Sequence, residues 1–297
     1  MMAPDISSRR LSPEVFDDFA AQARPQLRSA LERETQALAL GFPVIDNALA
    51  SSLGIGATPG RRWRPLLAMA TAEALGISSD DRILDLALAV EFTHTASLIL
   101  DDLPCMDDDD RRRGEPATHR RAGTAAALLM AIGLLARSAE LLGGTGPEGA
   151  ELARSWGATF GLKGMSGGQA IDLALGARAR GEKRRLYRKK STALVEFAVG
   201  GSATLARSSS DPRVPLARFG RDLGWAYQLA DDRIDQDEDA ANGRGSVRDR
   251  SKRMGPRLLR RALAHLENSN AIPPHGVELL SSAAVAVAAI PTEVTQC

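Results

Sequence analysis

The sequence predicts an all-α protein, and three features lead to this fold class. Apolar residues recur at intervals of three and four along most of the 297 residues, which is the spacing of one helix face. No segment alternates β-branched and polar residues in the manner of a half-buried strand. Aromatic residues make up only 4% of the chain, and alanine and leucine occupy many of the apolar positions, as they do in helical bundles.

Composition and charge indicate one large globular domain spanning residues 1–297, since 44% of the residues are hydrophobic and 25% are charged. Within it, residues 1–13 are expected to form a flexible leader and residues 270–297 an uncertain tail. The formal net charge of +1 creates no global field that would attract nucleic acid or an anionic membrane. The two cysteines cannot form a disulfide framework, and the longest nearly apolar runs, Ala125–Leu135 and Ala283–Ile290, are too short to span a bilayer. We therefore expect a cytoplasmic protein without a transmembrane segment.

The first half of the chain predicts one or two helices between Pro13 and Leu40, then a loop that ends in the motif GRRWRP at residues 60–65. An apolar helix follows this motif. Arginines at a loop-to-helix junction favour an anion site, because they lie near unpaired backbone N–H groups, although a solvated basic turn has the same pattern. The next helix runs from Ile83 to Leu100 and presents Asp101 and Asp102 at its end.

Six aspartates occupy the ten residues from Asp101 to Asp110, and three arginines follow them directly. Carboxylates this close repel one another, and a hard divalent cation with oxygen ligands relieves the repulsion. The arginines would hold an anion that also binds the metal. The pattern indicates a site for metal and phosphate, and the alternative is a solvated acidic loop.

The second half of the chain predicts further helices over residues 123–142 and 149–162. The motif GMSGGQAIDL then interrupts or bends the helical pattern, through either a ligand contact or close helix packing. Residues 177–190 are basic but contain Tyr187 as their one aromatic, which favours a solvated loop over a nucleic-acid surface. Two more helices follow, and the second ends in Asp231, Asp232 and Asp235.

Asp231 and Asp235 are four residues apart and therefore lie on one helix face, with Asp232 beside them. A lone cluster of this kind is a weak signal. Two such clusters, each at the end of an apolar helix, would face each other across a cavity mouth if their helices were neighbours. The ligand expected there has a diphosphate head and a hydrocarbon tail.

These motifs resemble those of the trans-isoprenyl diphosphate synthases, or polyprenyl synthetases. GRRWRP, HTASLILDDLPCMDDDDRRRG, GMSGGQAIDL, KST and YQLADDRID occur in the family's order between Gly60 and Asp235. The closest likeness is to geranylgeranyl diphosphate synthases of carotenoid pathways. The resemblance implies a bundle of about ten or more helices around a deep central cavity, a homodimer, and condensation of isopentenyl diphosphate with an allylic prenyl diphosphate.

The resemblance also implies a role for individual residues. About three Mg²⁺ ions per site would be held by Asp101, Asp102 and Asp107 on one side and by Asp231, Asp232 and Asp235 on the other. The substrate-binding residues would be Arg61, Arg64, His94, Arg112, Arg113, Lys190, Ser191 and Gln228, of which Arg112 and Lys190 join Asp101, Asp102, Asp107, Asp231 and Asp232 in the catalytic set. Ala96 and Ser97 would set product length, and the small Ala96 favours a product of twenty carbons or more.

Several alternatives remain open at this point. A farnesyl or longer-chain synthase shares the same motifs, and a non-catalytic partner subunit typically lacks one acid cluster, whereas both are present here. A class I terpene cyclase has a different second metal motif, and a di-iron bundle needs Glu-x-x-His pairs that are not visible. The chain after Asp235 departs from the family pattern, where Arg244 and Arg248 stand in for the usual lysines only in a loose alignment.

Overall fold

The computed structural model describes residues 12–56, 59–77, 81–175, 192–206, 210–241 and 250–289. The all-α prediction is confirmed, since these ranges contain twelve α-helices and one two-stranded hairpin. The helices are α1 (Glu14–Ala37), α2 (Pro43–Ser52), α3 (Trp63–Ala74), α4 (Asp81–Asp101), α5 (Thr118–Ala122), α6 (Thr124–Gly143), α7 (Gly149–Phe160), α8 (Met165–Leu175), α9 (Ala193–Ala206), α10 (Arg213–Ala241), α11 (Arg250–Glu267) and α12 (Pro274–Ala289). The strands are β1 (Arg111–Arg112) and β2 (Glu115–Pro116).

Helices α2, α5, α11 and α12 and the hairpin were not foreseen from the sequence. Helix α2 begins at Pro43, a favourable first helical residue, but its exposed apolar positions do not follow the helical period. The strands of the hairpin contain three charged residues and Pro116, and they carry no strand pattern. Helix α12 lies in the stretch that had been expected to form an uncertain tail, and it packs against α1, α3, α10 and α11. Ser282 of α12 anchors it, because its hydroxyl accepts from the Phe16 N–H at 2.9 Å.

Helix α4 forms the centre of the core and packs against α3, α6 and α9. Its side chains are buried on nearly every side, as expected for a helix that is apolar all round. Small residues let the other helices approach closely. A methyl group placed on Gly201 of α9 would lie 2.8 Å from Leu86 of α4, and one placed on Gly220 of α10 would lie 3.1 Å from the Cα atom of Glu196 of α9.

Two helices, α4 and α6, are long and apolar enough to span a membrane by length and composition. The most apolar window of α4 is 67% buried inside the bundle, but that of α6 is only 33% buried. The outward face of α6 exposes Leu128, Leu129 and Ile132, with 42%, 66% and 52% of their surfaces accessible.

Candidate active site

The loop that precedes α3 is anchored by Arg62. This residue has a left-handed backbone, with φ of 57°, and its side chain turns into the protein. There it donates to the Glu91 carboxylate of α4 and to the Leu53 carbonyl. Only 8% of the Arg62 side chain and 3% of the Glu91 side chain are exposed. Of the three arginines in the motif, Arg62 is therefore committed to the core.

Arg64 brings α3, α4 and α10 together at one point. Its guanidinium carbon lies 4.4 Å from the ring centre of Trp63 and 5.5 Å from that of Tyr227, which are distances for cation–π contact. Its Nη1 lies 3.3 Å from Nε2 of His94. The structure thus places two predicted substrate-binding residues, Arg64 and His94, in direct contact.

The imidazole of His94 is surrounded by positive charge. Burial lowers the pKa of His94 well below its ordinary value, and the charge of Arg64, followed by those of Arg113, Arg62 and Arg112, lowers it further. His94 is therefore neutral at pH 7. A neutral imidazole can accept a hydrogen bond from Arg64 through Nε2 and donate one from its other nitrogen.

Asp102 and Arg112 form an ion pair beside the end of α4. Asp102 is only 2% exposed, and the Nε and Nη2 atoms of Arg112 both donate to its carboxylate, the former at 3.0 Å. Burial raises the pKa of Asp102, and the hydrogen bond from Arg112 opposes this shift. The structure thus pairs a predicted metal ligand with a predicted diphosphate contact. Arg112 also lies 3.6 Å from Asp109.

The hairpin positions Arg113. Arg113 and Gly114 form the turn between β1 and β2, and both have left-handed backbones, with φ of 53° and 78°. This conformation is typical of two-residue hairpin turns. It aims the Arg113 guanidinium at Gly60, where a Cβ atom would lie only 2.7 Å from Nη1. Gly60 is therefore small because Arg113 occupies the space of its side chain.

Asp101 and Asp107 are brought together by the loop after α4. The Asp107 N–H donates to the Asp101 carbonyl at 2.9 Å, so the loop folds back on the helix end. Asp101 is partly buried and Asp107 is exposed. Carboxylate oxygens of this kind are the donors that Mg²⁺ prefers, so the residues fit the predicted metal. Within the described ranges, however, no three His, Cys, Asp or Glu side chains form a metal-sized group.

The second acid cluster lies in α10. Asp231, Asp232 and Asp235 belong to this helix, and their side chains are outside the described part of the structure. Gln228 is partly buried, one residue after Tyr227. Lys190 and Ser191 fall outside the described residues, as do Arg244 and Arg248.

Helices α4 and α10 run in the same direction. A Cβ on Gly224 would lie 3.0 Å from Thr192, which immediately precedes α9, whereas Gly220 lies against Glu196, so α9 and α10 are antiparallel. Farther along α9, Gly201 lies against Leu86 of α4, about two turns before His94. The start of α9 lies against Gly224, less than one turn before Tyr227, and Arg64 joins Tyr227 to His94, so α9 is antiparallel to α4 as well.

Because Arg64 contacts both α4 and α10, the positions of the two acid clusters along these helices can be compared relative to Arg64. Asp101 lies seven residues beyond His94, and Asp231 lies four residues beyond Tyr227, while Arg64 contacts both His94 and Tyr227. At the helical rise, these separations correspond to about 10 Å and about 6 Å along parallel axes. Both acid-bearing segments accordingly lie toward the same end of the bundle.

The two predicted chain-length residues have different environments. Ala96 is completely buried. The Ser97 hydroxyl donates to the His94 carbonyl at 2.8 Å and is thus engaged with its own helix.

Sequence reasoning missed Glu91, although a signal was present. A single acid within the apolar segment of α4 has to be paired if that helix is buried. It also missed Asp222 of α10, which is 1% exposed and accepts from Arg261 at 2.5 and 2.6 Å and contacts His265 at 3.1 Å. This cluster attaches α11 to the helix that carries the second acid cluster.

Comparison with known proteins identifies the family of the chain. A family model described as polyprenyl synthetase matches residues 47–268. Geranylgeranyl diphosphate synthase of Pantoea ananas is 35% identical over 270 residues, which are 86% of this chain and 86% of that protein. Farnesyl diphosphate synthase of Geobacillus stearothermophilus is 32% identical over 255 residues, covering 82% and 84% of the two chains.

Solved structures give the same result. The crystal structure of an FPP/GFPP synthase from Zymomonas mobilis matches 91% of this chain and 100% of its own, with a TM-score of 0.75 and 29% identity. Together with the family-model match, these relatives place the chain in the polyprenyl synthetase family of prenyltransferases.

Proposed function

We propose that the protein condenses isopentenyl diphosphate with an allylic prenyl diphosphate in an Mg²⁺-dependent reaction, and that its main product is geranylgeranyl diphosphate. The observation that carries the proposal is the convergence of Arg64, His94 and Arg113 close to the helix end that bears Asp101. This cluster of cationic side chains near the aspartates suits the binding of two diphosphates. The arginines would hold one diphosphate directly, and metal ions bound by the aspartates would hold the other.

The described residues have distinct tasks in this reaction. Arg64 and Arg113 would bind the diphosphate of isopentenyl diphosphate through charge-assisted hydrogen bonds. Neutral His94 would add a hydrogen bond without adding charge. The tether between Arg62 and Glu91 orients the loop so that these groups are in place before substrate arrives, which reduces the entropic cost of binding.

The allylic diphosphate would lie between the two acid clusters. Ionisation of its C–O bond places negative charge on the leaving diphosphate, and Arg112 together with Lys190 would stabilise that charge. Bound Mg²⁺ would supply Lewis-acid neutralisation of the same group, held by Asp101, Asp107 and the acids of α10. In this proposal the departing diphosphate accepts the final proton, as the family resemblance implies, so no protein base is required.

In this proposal, product length is set by the apolar space that lies below the aspartates. Ala96 lies five residues before Asp101, about 7.5 Å along the helix, and a larger side chain at this position would end the growing product sooner than a methyl group does. The 35% identity to a geranylgeranyl diphosphate synthase supports twenty carbons. The alternative is a fifteen-carbon product, because farnesyl diphosphate synthases are similarly close, at 36% and 32% identity.

We further propose that the protein is a homodimer that buries the outward face of α6. Leu128, Leu129 and Ile132 are exposed on this helix, and a stripe of such large apolar side chains is typical of a helix interface. Analytical ultracentrifugation of wild type and of Leu129→Glu tests this. We expect a dimer that the charge converts to a monomer, and a monomeric wild type would exclude it.

The activity is tested by incubating the purified protein with Mg²⁺, isopentenyl diphosphate and geranyl or farnesyl diphosphate, and then sizing the dephosphorylated products by chromatography. We expect twenty-carbon alcohols from both primers and no product in the presence of EDTA. Failure to consume either primer would refute the proposal, and turnover with the metal chelated would refute the role of the acid clusters.

A further inference from the structure

A cavity of about 700 Å³ lies between α1 and the loop that leads to α3. Its size is within the range of small-molecule sites. The lining residues are Ala21, Arg24, Pro25, Leu27, Arg28 and Leu31 of α1, and Gly54, Ile55, Gly56, Pro59, Gly60, Arg61 and Arg62 of the loop. Arg61 also belongs to the predicted substrate-binding set, whereas none of the acid-cluster residues, nor Arg64, His94, Arg112 or Arg113, is among the lining residues.

The lining combines positive charge with an apolar wall. Arg24, Arg28 and Arg61 belong to the lining, and no acidic residue does among the described residues. Arg28 pairs with the neighbouring Glu32 at 2.9 Å and is largely exposed, so it lies at the rim. Pro25, Ile55 and Pro59 contribute accessible apolar surface, whereas Leu27 and Leu31 are almost completely buried behind it. This combination suits a ligand with an anionic head and an apolar body.

The loop that lines the cavity also carries arginines that are proposed to bind substrate. The Arg24 Nη1 donates to the Arg61 carbonyl at 2.9 Å, so α1 holds the loop directly. The same loop contains Gly60, which packs against the Arg113 guanidinium. A ligand that draws Arg24 away from this carbonyl, or that reinforces the contact, would therefore change the position of Arg61 and Gly60.

We propose that this cavity, named here the α1 cavity, binds a dissolved molecule that joins a phosphate group to an apolar chain, and that the ligand alters the affinity for isopentenyl diphosphate. The binding itself stands on the cavity alone. The effect on substrate affinity rests on the proposed function, so the two are measured separately.

Binding is measured by isothermal titration calorimetry on the full chain, with dodecyl phosphate below its micelle concentration and with EDTA present. Inorganic phosphate and dodecyl maltoside serve as probes for the head and the tail alone. We expect binding of dodecyl phosphate and at least about tenfold weaker binding of either separate probe, because both contacts contribute.

Two substitutions locate the site, and each has a matched control on the same helix. Arg24→Gln removes the charge and is compared with Arg33→Gln, an exposed arginine outside the lining. Ala21→Trp fills the cavity from an exposed position and is compared with Gln22→Trp, which is also exposed and outside the lining. We expect the cavity variants to weaken binding about tenfold or more while the controls bind like wild type.

Unchanged affinity in both cavity variants would show that dodecyl phosphate binds elsewhere and would overturn the proposal. Binding only to phosphatidic acid vesicles, without binding to the dissolved amphiphile, would overturn it as well. The regulatory step is tested by the KM for isopentenyl diphosphate at rising dodecyl phosphate. We expect the KM to shift in wild type and to stay constant in Ala21→Trp, and an equal shift in both would exclude the α1 cavity as its cause.

Discussion

Arg62 and Glu91 form a buried ion pair that fixes the loop before α3 to the central helix α4. The pair lies one helical turn from the contact between Arg64 and His94. Because Arg62 also donates to the Leu53 carbonyl, a single guanidinium joins the loop, α4 and the end of α2. The position of the predicted substrate-binding arginines therefore depends on Arg62, whose side chain is buried.

Removing the acid of this pair should destabilise the protein strongly. Glu91→Gln leaves the Arg62 charge buried without its carboxylate, and breaking such a pair costs about 3–5 kcal/mol. Chemical denaturation of the variant measures the loss. Glu267→Gln, at an exposed site on α11, should change the free energy of unfolding by less than about 0.5 kcal/mol. Equal losses of unfolding free energy for both substitutions would show that the ion pair of Arg62 and Glu91 does not stabilise the protein.

Gly60→Ala should impair substrate binding without impairing folding. The new methyl group would meet the end of the flexible Arg113 side chain, which can move aside at little cost to stability. We expect the KM for isopentenyl diphosphate to rise about tenfold, the loss of one charge-assisted contact, with a nearly constant melting temperature. Gly157→Ala on α7 meets no atom within 4 Å and is the control. An unchanged KM for Gly60→Ala would remove Arg113 from the substrate site.

The shifted pKa of His94 predicts a pH dependence of stability. The native protein holds His94 neutral, whereas the unfolded chain protonates it below about pH 6.5, so the unfolded state binds more protons there. Its contribution is present above pH 6.5 and is lost as the pH falls, at up to about 1.4 kcal/mol per pH unit. Denaturation at pH 7 and pH 5 should show a smaller loss for His94→Gln than for wild type. Exposed His275→Gln should behave like wild type.

The cluster of Asp222, Arg261 and His265 joins α10 to α11. Substitution in this cluster should lower the free energy of unfolding far more than substitution in an exposed ion pair. Asp222→Asn weakens both hydrogen bonds from Arg261 at a buried site, and we expect a loss of about 3 kcal/mol. Asp211→Asn breaks the exposed pair with Arg213, and solvent screening should make its effect on the free energy of unfolding small. Urea denaturation measures both losses. Similar losses for the two variants would show that the buried contacts of Asp222 do not stabilise the protein.

Ala96→Tyr tests the proposed floor of the product cavity. If the space beside Ala96 holds the growing chain, a tyrosine there should shift the main product from twenty carbons to fifteen or ten. Ala37→Tyr, at the exposed end of α1, should leave product length unchanged. A twenty-carbon product from a folded Ala96→Tyr variant would exclude this position as the floor.

Much of the architecture could be predicted from local patterns. The helical period placed α1, α4, α6 and α7 within a few residues, and the family-like motifs identified the arginines and acids that the structure brings to one end of the bundle. Helix α2 and the hairpin could not be predicted in this way. Both have exposed or charged residues at positions where a periodic apolar signal would be needed.

The sequence by itself determined the all-α class and the chemical types at the site, because helix period and residue type are local properties. Only the tertiary structure decided which environment each arginine occupies. Arg62 is drawn inward by Glu91, Arg64 rests on Trp63 beside His94, and Arg113 occupies the space left by Gly60. These three side chains are chemically identical, so only the partners supplied by distant parts of the chain distinguish them.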